Sequence, residues 1–291
     1  MPRMLGQNFW RRLGLGVGLV LLLWAIIRAG GELAHLSLTG AHWGDLLMLA
    51  GLVGMNLFLT GALHWCVTLS FDARPPVRLG RMMELVVASA LVNYLPLGWP
   101  GPAARSAYLK LRHQMPVRQS VLALGIVLGL SALLAAGVAA LALLNYPGKF
   151  PAELSGGPWG GALVGLVMLT LLVPPAVRRV FRRPVVWGWA WVPLKAADLA
   201  VGAGRLWLAF RVVGHPVGYF DALMLAAADM VVSMLAFTPN GLGLSEWAVG
   251  LLAQFLQLST SPVGQLAKLL DRAVSVLIII PTGLWALLRL R

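Results

Sequence analysis

Long apolar runs alternate with short basic or Pro/Gly-rich stretches along almost the whole chain. A helix needs about 20 residues to cross a hydrocarbon core about 30 Å thick. On this measure six apolar runs predict membrane-spanning helices, over residues 13–27, 46–70, 119–146, 159–177, 185–213 and 262–288. The first run follows basic residues but precedes only a weak cleavage site, so we expect an uncleaved helix and not a signal peptide.

Two further apolar segments are broken by proline and glycine. The first, residues 82–95, is too short to cross and runs into Pro96 and a Pro/Gly-rich stretch up to residue 102. The second, residues 219–237, is broken at 238–243 and returns as a helix over about 244–258. Both are predicted to be re-entrant hairpins. The second has a first limb of nineteen residues, which leaves open the alternative that it crosses fully and that eight helices span.

Basic residues mark the orientation, because Lys and Arg in short loops remain cytoplasmic. Five clusters contain fifteen of the 23 basic residues, and all five are cytoplasmic only if residues 82–112 enter and leave on one side. Both termini are then cytoplasmic, in the cytoplasmic (inner) membrane, whereas residues 32–45, 149–158 and 215–216 lie outside. The clusters are Arg3/Arg11/Arg12, Arg74/Arg78/Arg81, Lys110/Arg112/Arg118, Arg178/Arg179/Arg182/Arg183 and Arg289/Arg291.

Composition supports an integral membrane protein. Of 291 residues, 59% are hydrophobic and 11% charged, and the mean hydropathy is +0.82. No polar stretch is long enough for a separate soluble catalytic domain, so residues 1–291 form one membrane domain. The net charge of +13 is mostly explained by topology and does not indicate nucleic-acid binding. The single cysteine, Cys66, excludes an internal disulfide and a cysteine-based zinc site.

The two halves of the chain follow the same order. Residues 1–146 and 159–291 each read as span, span, broken hairpin and span, and Pro96 and Pro239 lie 143 residues apart. The halves would have opposite orientations in the membrane. The predicted fold is therefore an all-α polytopic inverted repeat with about six spanning helices and two re-entrant hairpins.

The two breaks predict an internal cavity, because backbone without its own hydrogen bonds is tolerated at membrane depth only beside protein or water. Each return helix begins near Gly101 or Gly243, and its free N–H groups attract phosphate or carboxylate. The alternative is that proline and glycine merely kink two packed helices. Arg105 and Glu246 lie one turn into the two return helices. They either bind a substrate or form a bridge that only holds the hairpins together.

Further charged residues inside the apolar segments cost free energy unless they are paired or hydrated, so some of them are expected to line an aqueous path. Lys195 and Asp198 are three residues apart, which favours a local ion pair over a proton relay. Asp271 and Arg272 are adjacent and point in different directions, so each needs its own partner, and Arg272 could reach a lipid phosphate. The candidates for the polar or coupling pathway are Glu84, Lys195, Asp198, Asp229 and Asp271.

Enzyme signatures are missing from the sequence. The five histidines show no metal-ligand spacing, and there is no P-loop. We therefore expect no catalytic residue, no metal and no cofactor. A membrane enzyme acting on lipid-linked sugars would need paired acids, but Glu32, Asp45 and Asp72 are scattered singly.

The broken motifs together resemble the membrane domain of lysylphosphatidylglycerol synthases and its stand-alone flippase-like relatives. The sequence departs from the family pattern at Pro102, where an acid is usual, and at Ser245, where an arginine is usual. The soluble lysyl-transfer domain of the bifunctional relatives has no counterpart. The resemblance is carried by Asn93-Tyr94-Leu95-Pro96, by Gly101 to Arg105, by Thr238-Pro239-Asn240-Gly241-Leu242-Gly243-Leu244-Ser245-Glu246, and by Asp271-Arg272 with Pro281-Thr282-Gly283.

The resemblance implies a lipid transporter, in which a headgroup crosses through a positive, phosphate-seeking cavity while the lipid tails remain in hydrocarbon. A small-solute or ion transporter on the same fold is the alternative. The expected partners are a membrane lipid substrate and anionic lipids at the cytoplasmic face, without nucleic acid; no oligomeric state is predicted. The expected substrate-binding residues are Asn93, Gly101, Arg105, Asn240, Gly241, Gly243, Glu246 and Arg272.

Overall fold

The computed structural model describes residues 16–28, 30, 43–71, 73–94, 100–145, 188–234 and 239–290, and its regular elements in these ranges are helical. The predicted span 159–177, the basic cluster at 178–183 and the break at Pro96 lie outside the described residues. The α-helices are α1 Gly16–Arg28, α2 Trp43–Thr68, α3 Leu79–Val92, α4 Pro100–His113, α5 Val117–Asn145, α6 Gly188–Val212, α7 Tyr219–Met234, α8 Leu244–Phe255 and α9 Ser261–Leu290, with a 3₁₀ turn at Pro239–Gly241.

Three of the described helices are long and apolar enough to cross a bilayer. They are α2, α9 and, within α5, the stretch Val117–Ala142, with mean hydropathies of 2.0, 2.0 and 2.5. Large apolar side chains on these helices point outward, among them Leu47 and Leu277, which are more than two-thirds exposed. Such surfaces suit lipid and not water. The chain is an integral membrane protein of the all-helical class, as predicted.

The first broken segment consists of α3 and α4, with 14 residues each. At 1.5 Å per residue each helix is about 21 Å long, short of a hydrocarbon core. The backbone N–H of Arg74, before α3, donates to the carbonyl of His113, the last residue of α4, at 2.7 Å. The segment therefore begins and ends at the same end of the helical body. The α9 helix also ends there, because Arg81 donates to the Arg289 carbonyl at 2.9 Å.

The second broken segment consists of α7, the 3₁₀ turn and α8, with α7 of 16 residues and α8 of 12. Left-handed backbone at Asn240, Gly241 and Gly243 makes the break, with φ of 51°, 67° and 80°. Glycine adopts these angles without steric cost. Gly243 also allows close packing, since a Cβ there would lie 2.7 Å from the Leu21 Cβ of α1. The α1 helix thus covers the start of α8.

The α2 and α6 helices pack side by side and run antiparallel. The start of α2 contacts the end of α6 through Asp45 and Arg211, at 3.5 Å. Their middles meet where Asn56 Nδ2 donates to Asp198 Oδ1 at 2.6 Å. The apolar core divides into two clusters, one around α3 and α4 and the other around α7 and α8. Charged side chains of α6, α7 and α9 gather at a separate polar site.

Candidate functional site: a charged cavity at the tips of the broken segments

A cavity of about 240 Å³ lies where the tips of the two broken segments meet α2, α6 and α9. Its lining is far more polar than the surrounding apolar helices, which is unusual for the interior of a membrane protein. The polar and charged lining residues are Asn56, Asn93, Tyr94, Arg205, Asp229, Ser233, Asn240, Ser245, Lys268, Asp271, Arg272 and Ser275.

Arg205 and Asp271 form an ion pair of the cavity that is closed by two hydrogen bonds. Arg205 Nε and Nη2 donate to the two carboxylate oxygens of Asp271 at 2.8 and 3.0 Å. The same guanidinium donates to Ser275 Oγ at 2.7 Å and to Asn56 Oδ1 at 2.9 Å. A two-pronged pair of this kind fixes the direction of both side chains. Arg205 is therefore fully engaged with protein groups.

Lys268 joins two acids from different helices. Its ammonium donates to Asp229 Oδ2 at 2.7 Å and to Asp271 Oδ2 at 3.0 Å. Lys268 and Asp271 are three residues apart and therefore share a face of α9. Asp229 Oδ1 is buried and has no hydrogen-bond partner among the described residues. This oxygen is an acceptor that remains available to a bound group.

Arg272 and Glu246 form a second pair, which is short but poorly aligned for hydrogen bonding. Arg272 Nε lies 2.5 Å from Glu246 Oε1, and the Glu246 side chain is 0% exposed. Both carboxylate oxygens, and Arg272 Nε and Nη1, nevertheless lack an aligned hydrogen bond within the described part of the chain. Arg272 Nη2 only approaches the carbonyls of Asn240 and Gly241, at 3.4 and 3.5 Å. The pair is held by charge with little hydrogen bonding.

A line of polar contacts continues from the cavity along α2 and α6. Asp198 Oδ1 accepts from Asn56 at 2.6 Å and from Thr60 at 3.1 Å. Asp198 Oδ2 accepts from Lys195 at 2.8 Å, which confirms the predicted local ion pair. Because Asn56 also accepts from Arg205, this line joins Lys195 to the cavity.

The lining of the cavity carries three cations, Arg205, Lys268 and Arg272, and two acids, Asp229 and Asp271. Its formal charge is therefore +1, in line with the expectation of a positive cavity. Glu246 lies behind Arg272, outside the lining, and brings the buried charges as a whole into balance. Apolar surroundings explain this balance, since an uncompensated charge there costs several kcal/mol. Asp271 and Arg272, adjacent in sequence, do have separate partners, as predicted.

The neck of the first broken segment, where the end of α3 meets the start of α4, is held by neutral hydrogen bonds. Gly101 N donates to Asn93 Oδ1 at 3.0 Å, and Ser89 Oγ donates to the Gly101 carbonyl at 3.2 Å. A Cβ at position 101 would collide with both Asn93 Oδ1 and the Ser89 carbonyl. The Gly101 amide, expected to face a phosphate, is thus already bonded to Asn93. Asn93 itself also lines the cavity.

Gly101, Gly241, Gly243 and Glu246 are close to lining residues but not in the lining themselves, and two further candidates lie away from the cavity. Arg105 is buried on α4 but is absent from the lining, and the hypothesis of an Arg105–Glu246 bridge is wrong because Glu246 contacts Arg272. Glu84 lies at the end of the helical body, 2.7 Å from Arg81 and 3.8 Å from Arg289. Among the pathway candidates, Asp229 and Asp271 line the cavity, whereas Lys195 and Asp198 lie on the connected line of contacts.

Seven of the twelve polar lining residues were not among the candidates from the sequence, and Arg205, Lys268 and Asn56 are three of them. Arg205 lies within the predicted span 185–213, near its end, yet it is central to the cavity. Lys268 precedes Asp271 by three residues on an apolar helix, a spacing that could have revealed it. Asn56 has no partner on its own helix, and no sequence signal distinguishes it from other polar residues of spanning helices.

The comparisons identify one family. The family model described as the lysylphosphatidylglycerol synthase TM region matches residues 12–283 of the chain. No curated protein and no solved structure matches the chain.

Proposed function

Because the chain belongs to the family of lysylphosphatidylglycerol synthase transmembrane regions, we propose that it is a flippase-like lipid transporter. It moves a phosphate-containing lipid, or a lipid-linked headgroup, across the cytoplasmic membrane. The observation that carries this proposal is the charged cavity between the tips of two broken helical segments. Charges inside a membrane protein cost free energy even when they are paired, and they commonly mark the path of a polar substrate.

The inverted repeat belongs to this proposal. Asn56 and Asp198 lie 142 residues apart, the same separation as Gly101 and Gly243, and they touch where α2 crosses α6. Equivalent helices that pack antiparallel are what opposed halves produce. Helices of the two halves also pack against each other elsewhere. The α9 helix packs on α3 of the first half, and α5 packs on α7 of the second. Six spans and two re-entrant hairpins fit the short helices of both broken segments.

The proposed orientation places the basic end of the helical body in the cytoplasm. The contacts of Arg74 with His113 and of Arg81 with Arg289 bring three basic clusters to one end. Lysine and arginine beside spanning helices favour the cytoplasmic side. The same end would hold anionic lipids of the inner leaflet, with both chain termini on that side.

In the proposed mechanism the headgroup enters the cavity while its tails remain in hydrocarbon. Arg272 contacts the phosphate first, because it lines the cavity and its ion pair with Glu246 is poorly aligned for hydrogen bonding. Arg205 and Lys268 provide fixed positive charge beside it. Asn93 and Gly101 act by keeping the first neck closed, and Asn240, Gly241 and Gly243 act by bending the second.

A translocation assay tests this function. The protein is reconstituted in phosphatidylcholine vesicles with fluorescent phosphatidylglycerol, and loss of fluorescence to external dithionite is followed. Wild type should expose inner-leaflet label, and Arg272→Ala should slow this by about tenfold or more, since a hydrogen bond to a charged group contributes about 1.5–3 kcal/mol. Arg211→Ala is the control, because Arg211 pairs with Asp45 outside the cavity lining. Equal rates in protein-free vesicles and in all three proteins would contradict the proposal.

The size of the cavity favours one second candidate, a small-solute transporter. A volume of about 240 Å³ lies just below the usual range of small-molecule sites, and balanced charges suit a solute without lipid tails. Uptake of solute into vesicles without any change in lipid distribution would establish this function instead.

A further inference from the structure

The ion pair between Arg272 and Glu246 has a consequence for energy coupling. This inference rests on the proposed function. Glu246 is fully buried, and its one ionic contact among the described residues is Arg272. Arg272 lines the cavity, but Glu246 does not. A phosphate that binds Arg272 therefore competes with Glu246 for the same positive charge.

In the part of the chain that the structure describes, no other cation of the cavity is free to compensate Glu246. Arg205 makes four hydrogen bonds, two of them to Asp271. Lys268 bridges Asp229 and Asp271. On the side of α1, the Arg28 guanidinium lies 5.7 Å from the centre of the Trp247 ring. Tyr94 is the remaining titratable residue of the lining, and it carries no positive charge.

The charge balance then decides what must accompany the phosphate. The three cations and three acids already cancel, so a bound anion leaves the buried site with an excess negative charge. A buried carboxylate that loses its ionic partner is neutralised by a proton, because keeping it charged costs several kcal/mol. The carboxylate that loses its partner is Glu246.

We propose that Glu246 takes up a proton whenever an anionic lipid phosphate binds Arg272, so that lipid and proton enter the cavity together. The proton is taken up from the bulk solution and forms the O–H bond of a neutral carboxylic acid, so that the site gains one positive charge and no hydroxide is left behind. When the headgroup leaves, Arg272 returns to Glu246 and the proton is released to water. Transport is thereby coupled to the proton gradient.

Calorimetry measures this proton directly. Short-chain phosphatidylglycerol is titrated into detergent-solubilised protein in buffers of different ionisation enthalpy. The slope of the observed binding enthalpy against the ionisation enthalpy of the buffer gives the number of protons taken up per bound lipid. Wild type should take up about one proton, and its Kd should rise up to about tenfold per pH unit as pH increases, because binding consumes a proton. Glu246→Gln should bind with no proton uptake and no pH dependence. Asp45→Asn, which removes the acid of a remote ion pair, should behave as wild type.

The outcomes separate the two claims. Lipid binding by wild type without proton uptake overturns the coupling and leaves the proposed function intact. Proton uptake that persists in Glu246→Gln also overturns it. Absence of lipid binding in every protein contradicts the proposed function itself. Since wild type alone gives the proton count, the test does not depend on whether the variant folds.

Discussion

The two broken segments occupy equivalent places in the chain but are built from different chemistry. The neck of the first is closed by neutral hydrogen bonds between Asn93, Ser89 and Gly101. The neck of the second has left-handed residues at 240, 241 and 243 and is followed by the buried charge of Glu246. Described residues of both segments line the same cavity. Among those residues, only the second segment brings an ion pair to its edge.

The difference suggests a division of labour. Well-aligned neutral hydrogen bonds between short, close elements favour a rigid neck. Arg272 and Glu246 share few aligned hydrogen bonds, so fewer hydrogen bonds are broken when a ligand takes the place of Glu246 beside Arg272. We therefore assign scaffolding to the first segment and response to ligand to the second. The following predictions probe that comparison, from the largest expected effect to the smallest.

Arg272→Ala should be the most damaging change at the second segment. It leaves Glu246 buried without its ionic partner, which costs about 3–5 kcal/mol. The melting temperature in detergent should fall clearly, and lipid translocation should be lost. Adding Glu246→Gln removes the unpaired charge, so the double variant should recover most of the stability but no transport. A double variant as unstable as Arg272→Ala would show that the two residues are not coupled.

Gly101→Ala should damage the first segment by a steric route. The new Cβ collides with Asn93 Oδ1 and with a main-chain carbonyl, and such overpacking costs about 1–3 kcal/mol. Gly80→Ala is the matched control in α3, since no atom lies within 4 Å of its added Cβ. Thermal unfolding of the two variants is compared with that of wild type. Equal melting temperatures would mean that the first neck is not tightly closed.

Arg105→Gln should have the smallest effect on substrate binding. Arg105 is buried on α4 away from the cavity lining, so we expect less than about a tenfold change in lipid affinity, equivalent to 1.4 kcal/mol. Calorimetric titration with short-chain phosphatidylglycerol measures it. A loss as large as that of Arg272→Ala would place Arg105 at the substrate and remove the proposed difference between the segments.

Local patterns predicted most of the fold. Apolar length located α2, α5 and α9, the described helices that are long and apolar enough to cross a bilayer. The Pro/Gly breaks located the ends of α3 and α7 to within a few residues. The Lys195–Asp198 pair was also predictable, because both residues are on one helix face. The pairs that build the cavity were not, since Arg205 and Asp271 are 66 residues apart and Lys268 and Asp229 are 39 apart.

Those distant pairs depend on how the helices pack, which periodicity alone does not determine. The equivalent places of Glu246 and Arg105 at the start of the two return helices favoured a bridge between them as one of two hypotheses. Packing of α8 against α9 instead brings Glu246 to Arg272.

The most direct test of the central claim asks whether the cavity holds a phosphate-bearing lipid. Lipids that copurify with wild type in gentle detergent are identified by mass spectrometry and compared with those of the Arg272→Ala/Glu246→Gln variant, whose buried charges remain balanced. The account predicts a phosphate-containing lipid enriched in wild type and reduced to the bulk membrane proportion in the variant. An identical lipid composition in both proteins would contradict it.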